Sequence, residues 1–349
     1  MKTILSVMIM AISLSLNGQD FNVIKELLNQ DKVFEASDIA QQIVQRNPDL
    51  AAAHYWLGAS MYRSYVSSDL NPNKEIKSII DAGIAFEKAE YLDPSCSKKA
   101  DHGQALKAYG GKAFNLGVLS YQKKEMDIAF TFFKMSNQVS EWTGKPDSES
   151  MYYAGHCANK LGDHKSAKDF LGKLVSKEPS NEKAVKELAQ AHLNLEELDE
   201  MKSLLQSSLV HNPNSSDLWY EFMNVTSMLN LPEESLEAAQ TLSHLESGNT
   251  ENLAFLASLY DKTGEKEKAI TTYTNCLSID GDHQKANYNL GVLYYNEAVT
   301  VSNIATTDAQ KNDVKENLIK AEKYLTQAQN LDSQNVELEM LLSNIQNMK

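Results

Sequence analysis

From Ser148 to His283 the sequence repeats one 34-residue pattern four times without an insertion or deletion. A chain with such a period builds its core between neighbouring copies, because a single copy has no partner for its apolar face. In the copy starting at Ser148, Met151, Gly155, Gly162, Ala167, Leu171, Leu174 and Pro179 stand at positions 4, 8, 15, 20, 24, 27 and 32. The next copy, from Glu182, has Val185, Leu188, Ala189, Leu205 and Pro213 in the same register, and the one from Ser216 has Trp219, Phe222, Ala239 and Leu242. The copy from Thr250 carries Leu256, Ala257, Tyr260, Gly264, Ala269, Tyr273 and Cys276. Small residues at positions 8, 20 and 27 let two antiparallel helices approach closely, and large apolar residues at 4, 7, 11 and 24 fill the space between them.

The pattern resembles the tetratricopeptide repeat, whose consensus runs Trp-x2-Leu-Gly-x2-Tyr and then Gly, Ala, Phe, Ala and Pro. Ser235 at position 20 and Gly281 at position 32 depart from it. The resemblance implies an all-α, right-handed superhelical solenoid of about eight helix pairs with a C-terminal capping helix. The expected repeats are about 19–50, 51–96, 110–143, 148–181, 182–215, 216–249, 250–283 and 284–333, with the cap at 334–349. The second repeat opens with His54-Tyr-Trp-Leu-Gly58 and holds about twelve residues more than the period, around Ser64 to Lys77, with Asn71-Pro72 as cap and first-turn proline. The eighth opens with Asn287-Tyr-Asn-Leu-Gly291 and holds about eighteen more, with Thr307-Asp-Ala-Gln310 in the form of a capping box. Both insertions read as longer helices, and both are candidate specificity elements because they break a regular array. A longer turn is expected over Trp142 to Asp147.

Before the array, Met1-Lys2-Thr3, the largely apolar run Ile4 to Leu16 and Gly18 have the order of a signal peptide over 1–18, with cleavage after Gly18. The run is short for a bilayer span, which takes about 20 apolar residues. An exported chain, periplasmic or held at the cell envelope and possibly secreted, is the resulting expectation.

A formal charge of −14 argues against binding a phosphate backbone, so nucleic acid is not an expected partner. Between Glu182 and Asp282 there are eighteen acidic and six basic residues, many acids lying near the starts of second helices, where they complement the helix dipole. Cys96, Cys157 and Cys276 lack the spacing of a disulfide framework or a zinc site. Neither an HExxH pattern nor a phosphate-cradling glycine loop occurs. His156-Cys157 are adjacent, and on a helix adjacent side chains diverge by about 100°, so they do not form a thiolate–imidazole pair. The sequence reads as non-catalytic, without cofactor or metal.

The resemblance implies a concave groove of first helices that holds an extended peptide or a partner helix. Repeat positions facing it carry Tyr55, Tyr62, Phe114, Tyr121, Tyr152, His156, Asn159, Lys186, Gln190, Tyr220, Asn224, Tyr288 and Tyr295. Tyrosine is a frequent interface anchor because a rigid apolar ring carries a polar tip. Some family members hold a terminal carboxylate with Lys and Asn on consecutive first helices; here Asn115, Lys186, Asn224 and Asn289 are scattered, so that mode is not expected. The function expected is a protein-binding scaffold or adaptor in a bacterial cell envelope, with a glycan or peptide carrier using the Tyr-lined groove as the alternative. Intact mass of the chain recovered from its native cells is expected to correspond to a start at Gln19; a chain retaining Met1 would remove the export reading.

Overall fold

The structure, a computed structural model, describes residues 19–66, 72–99, 102–332 and 334–348. The expected leader and Asn71 lie outside these. Among the described residues all regular structure is helical, with seventeen α-helices and one 3₁₀ turn, and the architecture is an all-α solenoid in which the two helices of a repeat pack on each other. None of these helices is long and apolar enough to cross a membrane.

Packing divides the chain into two compact units, with the division between Glu178 and Pro179. The first holds α1 (Gln19–Asn29), α2 (Val33–Arg46), α3 (Ala51–Val66), α4 (Pro72–Leu92), the 3₁₀ turn Cys96–Lys98, α5 (Gly103–Gln122), α6 (Met126–Trp142), α7 (Ser148–Leu161) and α8 (His164–Lys177). The second holds α9 (Glu182–Asn194), α10 (Leu198–His211), α11 (Ser216–Met228), α12 (Pro232–Leu245), α13 (Thr250–Lys262), α14 (Lys266–Ile279), α15 (Gln284–Ser302), α16 (Asp308–Leu331) and α17 (Val336–Met348).

Two backbone devices keep the period. The first is an N-cap before the first helix of each repeat from the fourth to the eighth: Asp147, Asn181, Ser215, Asn249 and His283 each accept a hydrogen bond from an N–H two or three residues on, and Asn335 does so for α17. Such caps are worth roughly 0.5–2 kcal/mol each. The second is the left-handed residue that reverses the chain between the helices of a pair. It is Gly162 and Gly264 in two repeats, but Asp31, Lys124, Glu196 and Asn230 in others, all with φ between 57° and 82°. Glycine takes this conformation without a Cβ penalty, and asparagine tolerates it better than glutamate does.

Among the described residues, the second and eighth repeats have longer helices than the regular repeats. α3 has 16 residues and α4 has 21; α15 has 19 and α16 has 24, against 13 or 14 for each helix from α7 to α14. Thr307 and Gln310 form the reciprocal capping box that opens α16. The end of α3 is used internally: the Tyr62 hydroxyl donates to the Ala108 carbonyl at 3.1 Å, and the Lys112 ammonium stands 5.3 Å from the centre of the Tyr65 ring. The far end of the α15–α16 pair is open, with Ile304 exposed. The cap helix is also present, with Leu338 and Ile345 buried, whereas the apolar residues Val336 and Met340 of the same helix face outward. The turn expected after Trp142 is there, reversed by Gly144 at φ 70°.

Glu196→Gly is expected to stabilise the protein by roughly 0.5–1 kcal/mol, and Asn230→Gly by less, because only glutamate's Cβ and backbone conflict strongly in the left-handed region. Thermal or urea unfolding of both variants checks this; a loss of stability in Glu196→Gly would contradict the account of the reversal.

Candidate functional site

In the first unit, the aromatic residues of α5, α6 and α7 form one connected group. Phe133 stacks on Tyr153 with ring centres 5.0 Å apart, and Phe114 meets Phe133 edge-on at 5.6 Å. Tyr121 meets Tyr153 at 5.7 Å, and its hydroxyl shares a hydrogen bond of 3.1 Å with His156 Nε2. Tyr152 stacks on His156. The stripe position held by Asn159 is tied to the turn, since its Oδ1 lies 3.2 Å from His164 Nδ1. Tyr121, Tyr152, His156 and Asn159 are all partly accessible, so this face is both packed and available.

The second unit presents a more open stripe. Gln190 and Tyr220 are exposed, Tyr220 by 49 %, and Asn224 is half-buried. Lys186, on α9, is ion-paired with Asp217, on α11, which raises its ammonium pKa. Beside them the Glu221 carboxyl is held above its usual range, first by burial and then by Asp217, while Lys186 pulls the other way.

Four of the thirteen stripe residues are engaged by neighbouring segments. Tyr55 is only 1 % exposed: its ring stacks on His102 at 3.4 Å and its hydroxyl donates to the His102 carbonyl. That corrects the expectation for Tyr55, because the segment leading into α5 lies over a ring that the repeat position alone leaves open. Tyr62 is half-buried against α5 and meets Tyr109 edge-on. Tyr288 and Tyr295 pack in the cluster that includes Leu338 and Ile345 of α17. The Tyr288 phenol is pushed up to about 12, first by burial and then by the Glu337 carboxylate. The stripe thus stays accessible over α5, α7, α9 and α11.

Cys157 is fully buried while His156 points to Tyr121 and Tyr152. Burial pushes the Cys96 and Cys276 thiols up to about 11, which keeps them protonated at neutral pH. Among the described residues no group of three or more His, Cys, Asp or Glu could hold a metal ion. Sequence reasoning missed a cleft of about 440 Å3 beside Phe114, lined also by Lys107, Gly111, Asn115 and Lys145. The Gly110-Gly111 pair within α5 was the available signal.

Residues 149–181 and 250–283 each match a tetratricopeptide-repeat family profile. These two segments of the chain are tetratricopeptide repeats. Among solved structures, YrrB, described as a TPR protein with an unusual peptide-binding site, is 20% identical over 58% of this chain and 92% of its own, with a TM-score of 0.45. MamA from Desulfovibrio magneticus RS-1 is 16% identical over 50% of this chain and 96% of its own, with a TM-score of 0.42. TTC0263, a thermophilic TPR protein of Thermus thermophilus, is 20% identical over 53% of this chain and 98% of its own, with a TM-score of 0.33. No curated protein matches the chain.

Because the folded-state pKa of Glu221 is raised, the stability conferred by its protonated form is present below the ordinary glutamate pKa of about 4.3 and is lost as pH rises through the folded value. Glu221→Gln is therefore expected to raise the melting temperature at neutral pH, with the gain vanishing below about pH 4. Melting curves of both proteins across that range check it, and a gain independent of pH would show that the buried charge is not the cause.

Proposed function

We propose that the protein is a non-catalytic adaptor that holds a segment of another protein on the first-helix stripe. The observation that carries this reading is the open stripe of α9 and α11, where the Tyr220 ring is half exposed. Tyr152 and His156 offer a second aromatic–polar surface on α7. Exposed aromatic rings flanked by polar groups are favourable anchors, because two side-chain torsions order a large contact area. The tetratricopeptide fold supports a binding role of this kind in general terms, and the sequence of 1–18 supports placing it outside the cytoplasm, in the periplasm or at the cell envelope of a bacterium.

A second reading, a carrier of glycans or peptides, is favoured by the same Tyr220 ring, since an exposed aromatic face also stacks on a sugar ring. The two readings separate in one experiment: cross-linking the tagged protein in its native envelope and identifying what is bound. A stoichiometric protein partner is expected, with its yield falling by roughly fivefold or more in Tyr220→Ala or Tyr152→Ala at unchanged helicity, as for an interface anchor. Recovery of the chain alone, with binding to glycan or peptide arrays abolished by those same substitutions, would replace the adaptor reading with the carrier. Stoichiometric partner capture indifferent to both substitutions would remove the stripe from the adaptor reading.

A further inference from the structure

The cleft beside Phe114 lies within the first unit, between the N-terminal half of α5, the end of α6 and the turn into α7. Departures from the repeat build it. α5 starts at Gly103, well ahead of the repeat start at 110, and the following turn, 143–147, delivers Lys145. That turn is anchored: the Lys145 N–H donates to the Ser140 carbonyl at 2.9 Å, and the Asp147 N–H to the Ser140 hydroxyl at 3.2 Å.

The floor contains a helical Gly-Gly pair whose members differ. A Cβ on Gly110 would lie 2.9 Å from Val139, so helix packing explains that glycine. A Cβ on Gly111 would meet nothing within 4 Å. A mid-helix glycine costs about 1 kcal/mol against alanine, and at Gly111 no contact inside the protein accounts for it. Lys107, Gly111 and Asn115 follow one another at i, i+4 and i+8 on this face, all exposed.

The charge around the cleft runs against that of the chain. From Cys96 to Lys124 there are six lysines and one acid, Asp101, in a protein of net charge −14, and α5 itself has no acidic residue. Lys99 and Lys173 are ion-paired and Lys112 covers a ring, but the Lys107 and Lys145 ammonium groups have no partner among the described residues. Of the two acids in the lining, Asp147 accepts from the Glu149 N–H and the Ser150 hydroxyl, which leaves exposed Glu149 as the opposing charge.

We infer that this cleft takes an extended, internal acidic segment of a partner protein. Side-chain carboxylates of that segment pair with Lys107 and Lys145, and its peptide group runs close over Gly111 to the Asn115 amide, which both donates and accepts. The inference rests on the adaptor reading and names a site and a chemistry for it.

The test uses the full mature chain and a short, labelled, N-acetylated and C-amidated peptide of alternating Glu and Ala, with its Gln analogue as control, followed by fluorescence anisotropy. The Glu peptide is expected to bind, more weakly as salt rises, and the Gln peptide not to bind. Lys107→Ala with Lys145→Ala is expected to weaken binding by roughly tenfold, the sum of two partly exposed pairs. Gly111→Leu is expected to block the cleft without lowering the melting temperature, since it improves helix propensity, and Glu149→Gln to tighten binding. Equal binding of the Glu and Gln peptides, insensitivity to the double lysine change, or a requirement for a free C-terminal carboxylate would overturn the assignment. Binding of a sulfated glycan in place of the Glu peptide would overturn it too. If the acidic peptide fails while cross-linking still captures a partner that depends on Tyr220, this cleft assignment falls and the adaptor reading stands.

Discussion

The structure depends on how closely the two helices of a repeat can cross. At position 8 of four repeats the residue is glycine, and in each a Cβ would intrude on the second helix: 2.4 Å from Leu171 at Gly155, 2.6 Å from Leu325 at Gly291, and 2.9 Å from Phe133 at Gly117 and from the Ala82 carbonyl at Gly58. Where the residue is not glycine, it is usually alanine, as at Ala189 and Ala257. The sixth repeat exchanges the sizes. Met223 occupies position 8 and Ala239 position 24, both buried, so the large and small partners have changed helices. The hydroxyl of Ser235, which replaces the usual alanine, lies within hydrogen-bond distance of the Thr226 hydroxyl and the Leu231 carbonyl, donates to one of them and so is satisfied inside the pair. Interiors at this density tolerate a redistribution of volume far better than a net change.

From that crossing follows the placement of everything exposed. Once positions 8, 20, 24 and 27 are committed to the pair, positions 5, 9 and 12 of each first helix are left for the neighbouring repeat or for a partner. Which of the two takes them depends on what the neighbour brings. Over α9 and α11 the neighbour brings little, and Tyr220 stays open; over α15 it brings α17, and Tyr288 and Tyr295 are packed.

Much of the architecture was legible in the sequence because a strict period fixes register by itself. The small and large positions, the Thr307–Gln310 box and the lengthened helices of the second and eighth repeats needed no knowledge of distant contacts. The chain reversals were half legible: glycine announces a left-handed residue at Gly162 and Gly264, but nothing in the identity of Glu196 or Lys124 does, because there the turn imposes a conformation that the residue does not favour. The recurring caps from Asp147 to His283 obey the period too, although histidine is an uncommon residue in that role. The stripe was less legible. A repeat position says which way a side chain leaves its helix, and it carries no information on whether a non-repeating segment lies on top, as His102 does on Tyr55.

The sequence by itself determined the helix pairs, their register and the small-against-large core, since each rests on contacts within about one period. Only the tertiary structure decided which groove positions remain open, that the extended end of α3 holds α5, and that Lys107, Gly111, Asn115 and Lys145 line one cleft. Those outcomes depend on the lengths and paths of segments that do not repeat, and where such a segment comes to rest is set by packing against residues that no period relates to it.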